Sequence, residues 1–343
     1  MPTPETKPSC HHPVLILVSS GILWLLILVL LEGLFGLPFI IKALLAIGFA
    51  LFAFWRRRRP RQPLAAATVA FLLLALWYAC LIPSNSRTWH IGMERTPTVV
   101  VAGDWAAIHN LRNFHWQGQV QADARWENRR FDLRQLRTLD LLVSPFPENP
   151  GSLAHIMLQF GFADGQSVVV SVEARRRADR DYQLLPGLLR QFELICLFCD
   201  HQDPVAYRIM QGNREVFFHP LQADPEFIRS LFLDYADLAN RLQARPEFYN
   251  SLTNNCNSLF LRRLRQRGLG TGDYFRVLFQ PAKTAMVLEA NGFVAKHSPV
   301  VSRQPEAAAK KLADIPAMPP TAAGPVPAVP ATRFRFPDTK FHH

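Results

Sequence analysis

Residues 154–173 read AHIMLQFGFADGQSVVVSVE, two strand-like runs around a turn, and their pairing decides which side chains share a face. Runs 154–162 and 166–173 flank Ala163-Asp164-Gly165, and a three-residue connection with glycine at the left-handed position is a common hairpin loop. That loop pairs Phe162 with Gln166, and by continuation Phe160 with Val168, Leu158 with Val170, Ile156 with Val172 and His155 with Glu173. One face then holds Ile156, Leu158, Phe160, Val168, Val170 and Val172, all apolar. The other holds His155, Gln159, Ser171 and Glu173, with Met157 and Val169 among them. A two-residue loop would slip the register by one and set Ile156 opposite Glu173, so the burial pattern itself selects the longer loop. His155 and Glu173 become cross-strand neighbours within bonding reach.

A carboxylate beside an imidazole fixes its tautomer and stabilises the imidazolium, the arrangement of a general base and its orienting group. The matching nucleophile lies in residues 249–260, YNSLTNNCNSLF, where Cys256 follows a turn-forming Thr-Asn-Asn run at the start of a helix expected over 255–267. Helix N-termini carry unpaired N–H groups and partial positive charge, so a thiol there is expected to ionise readily. Cys256 thus attacks, His155 takes and returns the proton, and Glu173 orients the ring. The Cys256 N–H and an amide such as Asn255, with Asn254 beside it, are the expected oxyanion donors or supports. The competing readings are a packing cysteine at Cys256, a half-buried histidine at His155, and a Glu173 paired with Arg175, Arg176 or Arg177.

Further phrases extend the pattern: IHNLRNFHW near Asn110, RTLDLLVS from Arg137, AHIMLQFGFADGQSVVVSVEARRR from Ala154, FELICLFCD from Phe192 and ARPEFYNSLTNNCNS from Ala244. In order and spacing, over roughly residues 105–265, they resemble the bacterial Lnb N-terminal periplasmic domain family. That family is similar to the permuted NlpC/P60 and lecithin:retinol acyltransferase group of papain-like thiol enzymes, in which a strand histidine precedes the cysteine in the chain. The resemblance implies acyl transfer from phospholipid, through a cysteine thioester, to the N-terminal amine of a lipoprotein. It carries the histidine onto His155, the carboxylate onto Glu173 and the cysteine onto Cys256. Asn257-Ser258 stand where the family usually has Thr-Thr, and here the apolar segments precede the domain rather than follow it.

Those segments are 14–31, 34–55 and 64–82, each near the roughly 20 residues that cross about 30 Å of hydrocarbon, and they predict three membrane helices. A signal peptide is the other reading of the first. The cluster Arg56-Arg57-Arg58-Arg59-Pro60-Arg61 between the second and third keeps that connection cytoplasmic, and Lys7 fits a cytoplasmic N-terminus. Three crossings then deliver the remainder outward, into the periplasm of a bacterium. The expected organisation is a cytoplasmic N-terminus over 1–13, an anchor over 14–82, one soluble domain over 83–300, and a tail over 301–343 rich in Ala and Pro and too poor in large apolar residues to fold.

The formal charge of +11 among 343 residues is arginine-rich and suits anionic headgroups rather than nucleic acid, since the soluble part has no basic helix interleaved with aromatics. Cys196 and Cys199 form a C-x-x-C inside LICLFC, where residues three apart on a strand point to opposite faces, so neither a disulfide nor zinc is expected. Asp200, His201 and Asp203 read as a polar loop rather than a metal site. With no phosphate-binding loop, no cofactor is expected.

The remaining elements predict an α+β fold. Strands are expected over 98–102, 107–110, 125–133, 139–144, 194–199 and 215–221, with helices over 184–191, 204–211, 225–242 and 283–290. Three functions fit: a membrane-anchored cysteine acyltransferase acting on phospholipid with an acceptor such as a lipoprotein amine, a thiol peptidase or amidase on cell-wall peptides, or a non-catalytic envelope-binding module.

Overall fold

The computed structural model describes residues 13–35, 39–118, 120–210 and 215–294. The tail read from 301–343 and all but the last residue of the expected N-terminal segment lie outside them. Three apolar helices come first: α1 (Pro13–Phe35), α2 (Phe39–Trp55) and α3 (Arg61–Ala79). Two of them, α1 and α3, are long and apolar enough to cross a membrane, whereas α2, with 17 residues, is shorter than the expected span. A Lys42–Glu32 ion pair of 2.6 Å and a Trp24–Phe49 ring stack at 4.6 Å tie α2 to α1.

The soluble part is a mixed α+β domain. Its first half is strand: β1 (Thr98–Ala102), β2 (Trp105–Arg112), the short pair β3 (His115–Trp116) and β4 (Ala122–Asp123), then β5 (Trp126–Asp132), β6 (Leu136–Pro145), β7 (Ala154–Phe162) and β8 (Ser167–Arg175). A single-turn helix α4 (Leu184–Leu188) precedes β9 (Glu193–Asp200), and α5 (Gln202–Met210) precedes β10 (Phe217–Pro220). The last elements are α6 (Pro225–Ala244), α7 (Ser258–Gln266), α8 (Thr271–Phe279) and α9 (Thr284–Ala290).

The large sheet runs β1-β2-β9-β8-β7-β6-β10, with β5 on β2, and is antiparallel except where β2 meets β9. The β7–β8 register sets Phe160 opposite Val168 and Leu158 opposite Val170, and Gly165 holds a φ of +85° in a loop closed by Phe162 N–H donating to the Gln166 carbonyl. That is the three-residue hairpin expected from the sequence.

Each face of the hairpin has its own cover. Ile156, Leu158, Phe160, Val168, Val170 and Val172 join the main core with the apolar face of α6, while Met157 and Val169 pack with Val205 and Ile209 of α5 on the other side. Helix α6 begins as its sequence dictates, with Asp224 accepting from the Phe227 N–H and Pro225 in the first turn. It buries Phe227, Ile228, Leu231, Phe232, Tyr235, Leu238 and Leu242, each worth about 1.5–3 kcal/mol of transfer free energy.

The domain sits on the ends of α1 and α3. Gly33 is so close to Leu185 that an added Cβ would lie 2.9 Å from its Cγ. Arg180 donates to the Leu34 carbonyl, and the Arg190 guanidinium lies 4.8 Å from the Tyr78 ring centroid. Leu184–Leu188 also meets the segment leading to Cys256, because Ser251 donates from its N–H to the Gly187 carbonyl and from its hydroxyl to the Leu184 carbonyl. The apolar helices and the cysteine loop therefore share one small turn as their contact.

Candidate functional site

The site lies at one end of the β7–β8 ladder. The β7–β8 ladder ends at Met157 opposite Ser171, although β7 continues along β6 to Ala154 and β8 continues along β9 to Arg175. Beyond that end, the Ile156 N–H faces the Cys256 thiol and acts to lower its pKa. The sulfur thus lies against the backbone of the residue that follows His155.

On the α5 side of the same strands, a chain of polar side chains crosses from β7 to β8. His155 Nε2 is 2.9 Å from the Ser171 hydroxyl, which donates to Glu173 Oε1 at 2.8 Å. The direct His155–Glu173 separation is 3.8 Å, so the hydroxyl bridges the two. Glu173 is also 2.9 Å from Arg208 of α5. His155, Ser171, Glu173 and Arg208 are all buried. Burial pushes the Glu173 carboxyl up, but the Arg208 guanidinium, the neighbouring His155 ring, the Arg112 guanidinium and the Ser171 hydroxyl outweigh it and hold the group well below the usual carboxylate range. Glu173 is accordingly ionised and can only accept.

This fixes the proton on histidine. A serine hydroxyl has one hydrogen, and Ser171 gives it to Glu173. Toward His155 it can only accept, so Nε2 carries the ring proton and Nδ1 is left as the basic nitrogen of the neutral ring. The orienting group expected from sequence thus acts through a hydroxyl. The cation on Glu173 is Arg208 rather than any of the tandem arginines, since Arg175 donates to the Met93 and Glu94 carbonyls and to Asn85, and Arg176 reaches Asp181 and Tyr207.

Cys256 departs from expectation in its electrostatics. Helix α7 starts at Ser258, not at 255, and Cys256 precedes its cap residue Asn257. The intervening turn is built by side chains: Asn255 Oδ1 accepts from the Asn257 N–H, and the Ser258 hydroxyl accepts from the Asn255 N–H. The Asn255 and Asn257 N–H groups are therefore engaged within the turn. Half-buried as a residue, Cys256 packs against the main core, of which Tyr235 and Tyr249 are part. Burial pushes the thiol up to about 11, only partly offset by the Ile156 N–H and Arg208. Desolvation wins, and the resting group is a neutral thiol. Iodoacetamide labelling of Cys256 is expected to keep climbing through pH 10, toward a midpoint near about 11; a plateau already reached at pH 7 would mean a preformed thiolate.

The two asparagines hold this turn. Asn255 Nδ2 donates to the Ser251 carbonyl, and Asn254 Nδ2 donates to the Phe248 carbonyl, so both amides have structural partners. They support the cysteine loop.

Cys196, Cys199 and the acidic run are structural. Cys196 faces the main core and Cys199 the opposite side with Ile195 and Leu197; both are free, and burial raises both thiols. Asp203 is not in a polar loop but fully buried in the first turn of α5, taking Arg112, the Phe114 N–H and the Trp116 indole N–H. Asp200 pairs with Arg129 at 2.7 Å. Among the described residues, no group of three or more His, Cys, Asp or Glu side chains is arranged to hold a metal ion.

Ser171 and Arg208 are the two site residues that sequence reasoning left out. The first was already on the right face of the hairpin. The second comes from a helix whose position depends on the whole sheet order.

Residues 122–284 match the model of the Lnb N-terminal periplasmic domain, a span that contains His155, Ser171, Glu173, Arg208 and Cys256. No curated protein and no solved structure matches the chain. Over residues 122–284 the chain is thus similar to the Lnb N-terminal periplasmic domain family, a likeness that points to the cell envelope.

Proposed function

We propose that the chain is a membrane-anchored periplasmic thiol acyltransferase of the papain-like plan, with its N-terminus cytoplasmic. The observation that carries the reading is the Cys256 thiol facing the Ile156 N–H, next to a histidine whose tautomer is set by Ser171 and an ionised Glu173. Attachment to apolar helix ends supports a lipid substrate, because a tethered site meets acyl chains at high effective concentration. The run Arg56–Arg59 lies at the end of α2 remote from the domain's contacts at Leu34 and Tyr78, the arrangement expected if arginines stay inside and the domain stays outside.

In the first half-reaction the Cys256 sulfur attacks the carbonyl carbon of a phospholipid ester while its proton passes to the His155 imidazole. The tetrahedral intermediate collapses, the C–O bond breaks, and the departing alkoxide takes that proton and leaves as a lysophospholipid alcohol. A thioester remains. In the second half-reaction an acceptor amine, such as the N-terminus of a lipoprotein, attacks the thioester, gives up a proton through His155, and leaves as an amide while the thiol is restored. A neutral resting thiol suits this sequence, since proton removal then accompanies attack.

Intact-mass measurement of the full chain purified from native membranes tests the reading. The expected result is a hydroxylamine-labile fatty-acyl mass on Cys256 that Cys256→Ala abolishes. No adduct, together with cleavage of cell-wall peptides, would replace the proposal with a thiol peptidase. A Cys256→Ser protein that keeps its cellular role would replace it with a binding module.

A further inference from the structure

A cavity of about 560 Å3 opens between α6, α7 and the turn that carries Cys256. Its floor is apolar, made of Val172, Leu194, Leu238 and Leu259. Asn255 and Ser258 line it too, so it abuts the cysteine loop on both sides of the nucleophile.

The charged walls are mostly neutralised within the chain. Arg241 pairs with Glu247 at 2.9 Å, and Asp234 pairs with Arg263 at 2.6 Å. Two groups differ: the exposed Asp237 on α6 and the exposed Arg262 on α7 have no hydrogen-bond or ion-pair partner among the described residues. The cavity therefore presents one uncompensated carboxylate and one uncompensated guanidinium above an apolar floor. A ligand that carries an ammonium, an anion and attached hydrocarbon matches that pattern, and a phosphate suits a guanidinium better than it suits an ammonium.

The cavity's place in the fold selects the source of such a ligand. Asn85, six residues beyond the end of α3, donates to the carbonyls of Leu242 and Gln243 next to the Arg241–Glu247 rim. Six residues of chain reach about 20 Å at most. Arg190 lies 4.8 Å from the ring centroid of Tyr78 in α3 and 5.8 Å from that of Phe248, the neighbour of Glu247. The rim is thus held where the chain leaves its apolar helices, at the height of lipid headgroups.

We propose that this cavity is a subsite for the zwitterionic headgroup of a membrane phospholipid, with Asp237 taking the ammonium and Arg262 the phosphate, beside Cys256. The assignment rests on the acyl-transfer reading of that cysteine and names the headgroup class of its donor.

Binding to the full chain in detergent micelles tests it, in a Cys256→Ser background so that no turnover occurs. The probes are dihexanoyl phosphatidylethanolamine and dihexanoyl phosphatidylglycerol, followed by calorimetry. The ethanolamine lipid is expected to bind about tenfold tighter, a difference of about 1.4 kcal/mol. Asp237→Asn is expected to erase that preference, and Arg262→Gln to weaken both lipids about tenfold. Both positions are exposed, so the fold should survive, as circular dichroism would verify. Equal binding of the two headgroups, or a preference that survives Asp237→Asn, overturns the subsite; so does displacement of the lipid by a simple zwitterionic dipeptide at equal concentration. A Cys256 acyl adduct without headgroup preference removes only the subsite, whereas headgroup preference without any adduct removes only acyl transfer.

Discussion

Replacing Arg208 by Met is expected to destabilise the domain by about 3–5 kcal/mol, because it leaves the buried Glu173 carboxylate without its cation. For a domain of this size that corresponds to a fall in Tm of roughly 10 °C. Ser171 still donates to Glu173, and Arg112 still faces it electrostatically, but neither makes the 2.9 Å ion pair. The pH dependence carries the sign of the effect. In the native protein the Glu173 pKa is depressed, so its contribution is present above the ordinary carboxylate value near 4.5 and is lost as pH falls toward the depressed folded value. Without Arg208, burial is expected to raise the same pKa, and the contribution then inverts: full in acid and lost as pH rises. The variant should therefore lie closer to the native protein at pH 5 than at pH 7. Thermal unfolding of the detergent-solubilised full chain at the two values measures this, and Arg208→Met combined with Glu173→Gln should recover part of the loss. A shift below about 2 °C at pH 7 would show that the pair is solvated and energetically idle.

How much of this was legible in the sequence depends on the range of the interaction involved. The hairpin register was legible because three local signals agree: the apolar face of Phe160 and Val168, the polar face of His155 and Glu173, and a loop with glycine at its positive-φ position. Helix α6 was legible for the same reason, through Asp224 as cap and an apolar stripe. Helix α8 was not among the elements expected from the sequence: Gly268 and Gly270 precede it and Gly272 lies in its first turn, so glycine hides its start. The start of α7 was misplaced by three residues, since Asn255, Asn257 and Ser258 close a side-chain turn that sequence alone does not separate from a first helical turn. That small shift reverses the thiol's electrostatics. A helix-start cysteine would have been favoured as an anion, whereas one buried against the main core is desolvated. Arg208 was out of reach for a different reason. The nearest cations in the chain to Glu173 were Arg175, Arg176 and Arg177, and only the packing of α5 across β7 and β8 brings Arg208 past them.

His155→Ala is expected to slow acyl-adduct formation on Cys256 by about 10²–10⁴-fold, the usual contribution of a positioned general base. The loss should be large here because burial raises the thiol to about 11, so no reservoir of thiolate substitutes for the missing base at neutral pH. Ser171→Ala removes the hydroxyl through which Glu173 holds the ring and leaves the two groups 3.8 Å apart. An imidazole released from that constraint divides between tautomers, and only the one with hydrogen on Nε2 offers Nδ1 as base. A positioning role of this kind predicts a smaller loss, about 10–100-fold, and recovery in Ser171→Thr, which keeps the hydroxyl on a strand residue. Stopped acylation time courses followed by intact mass separate the cases. If Ser171→Ala leaves the rate within twofold, the hydroxyl bridge does not govern the ring, and the His155–Glu173 coupling must be electrostatic alone.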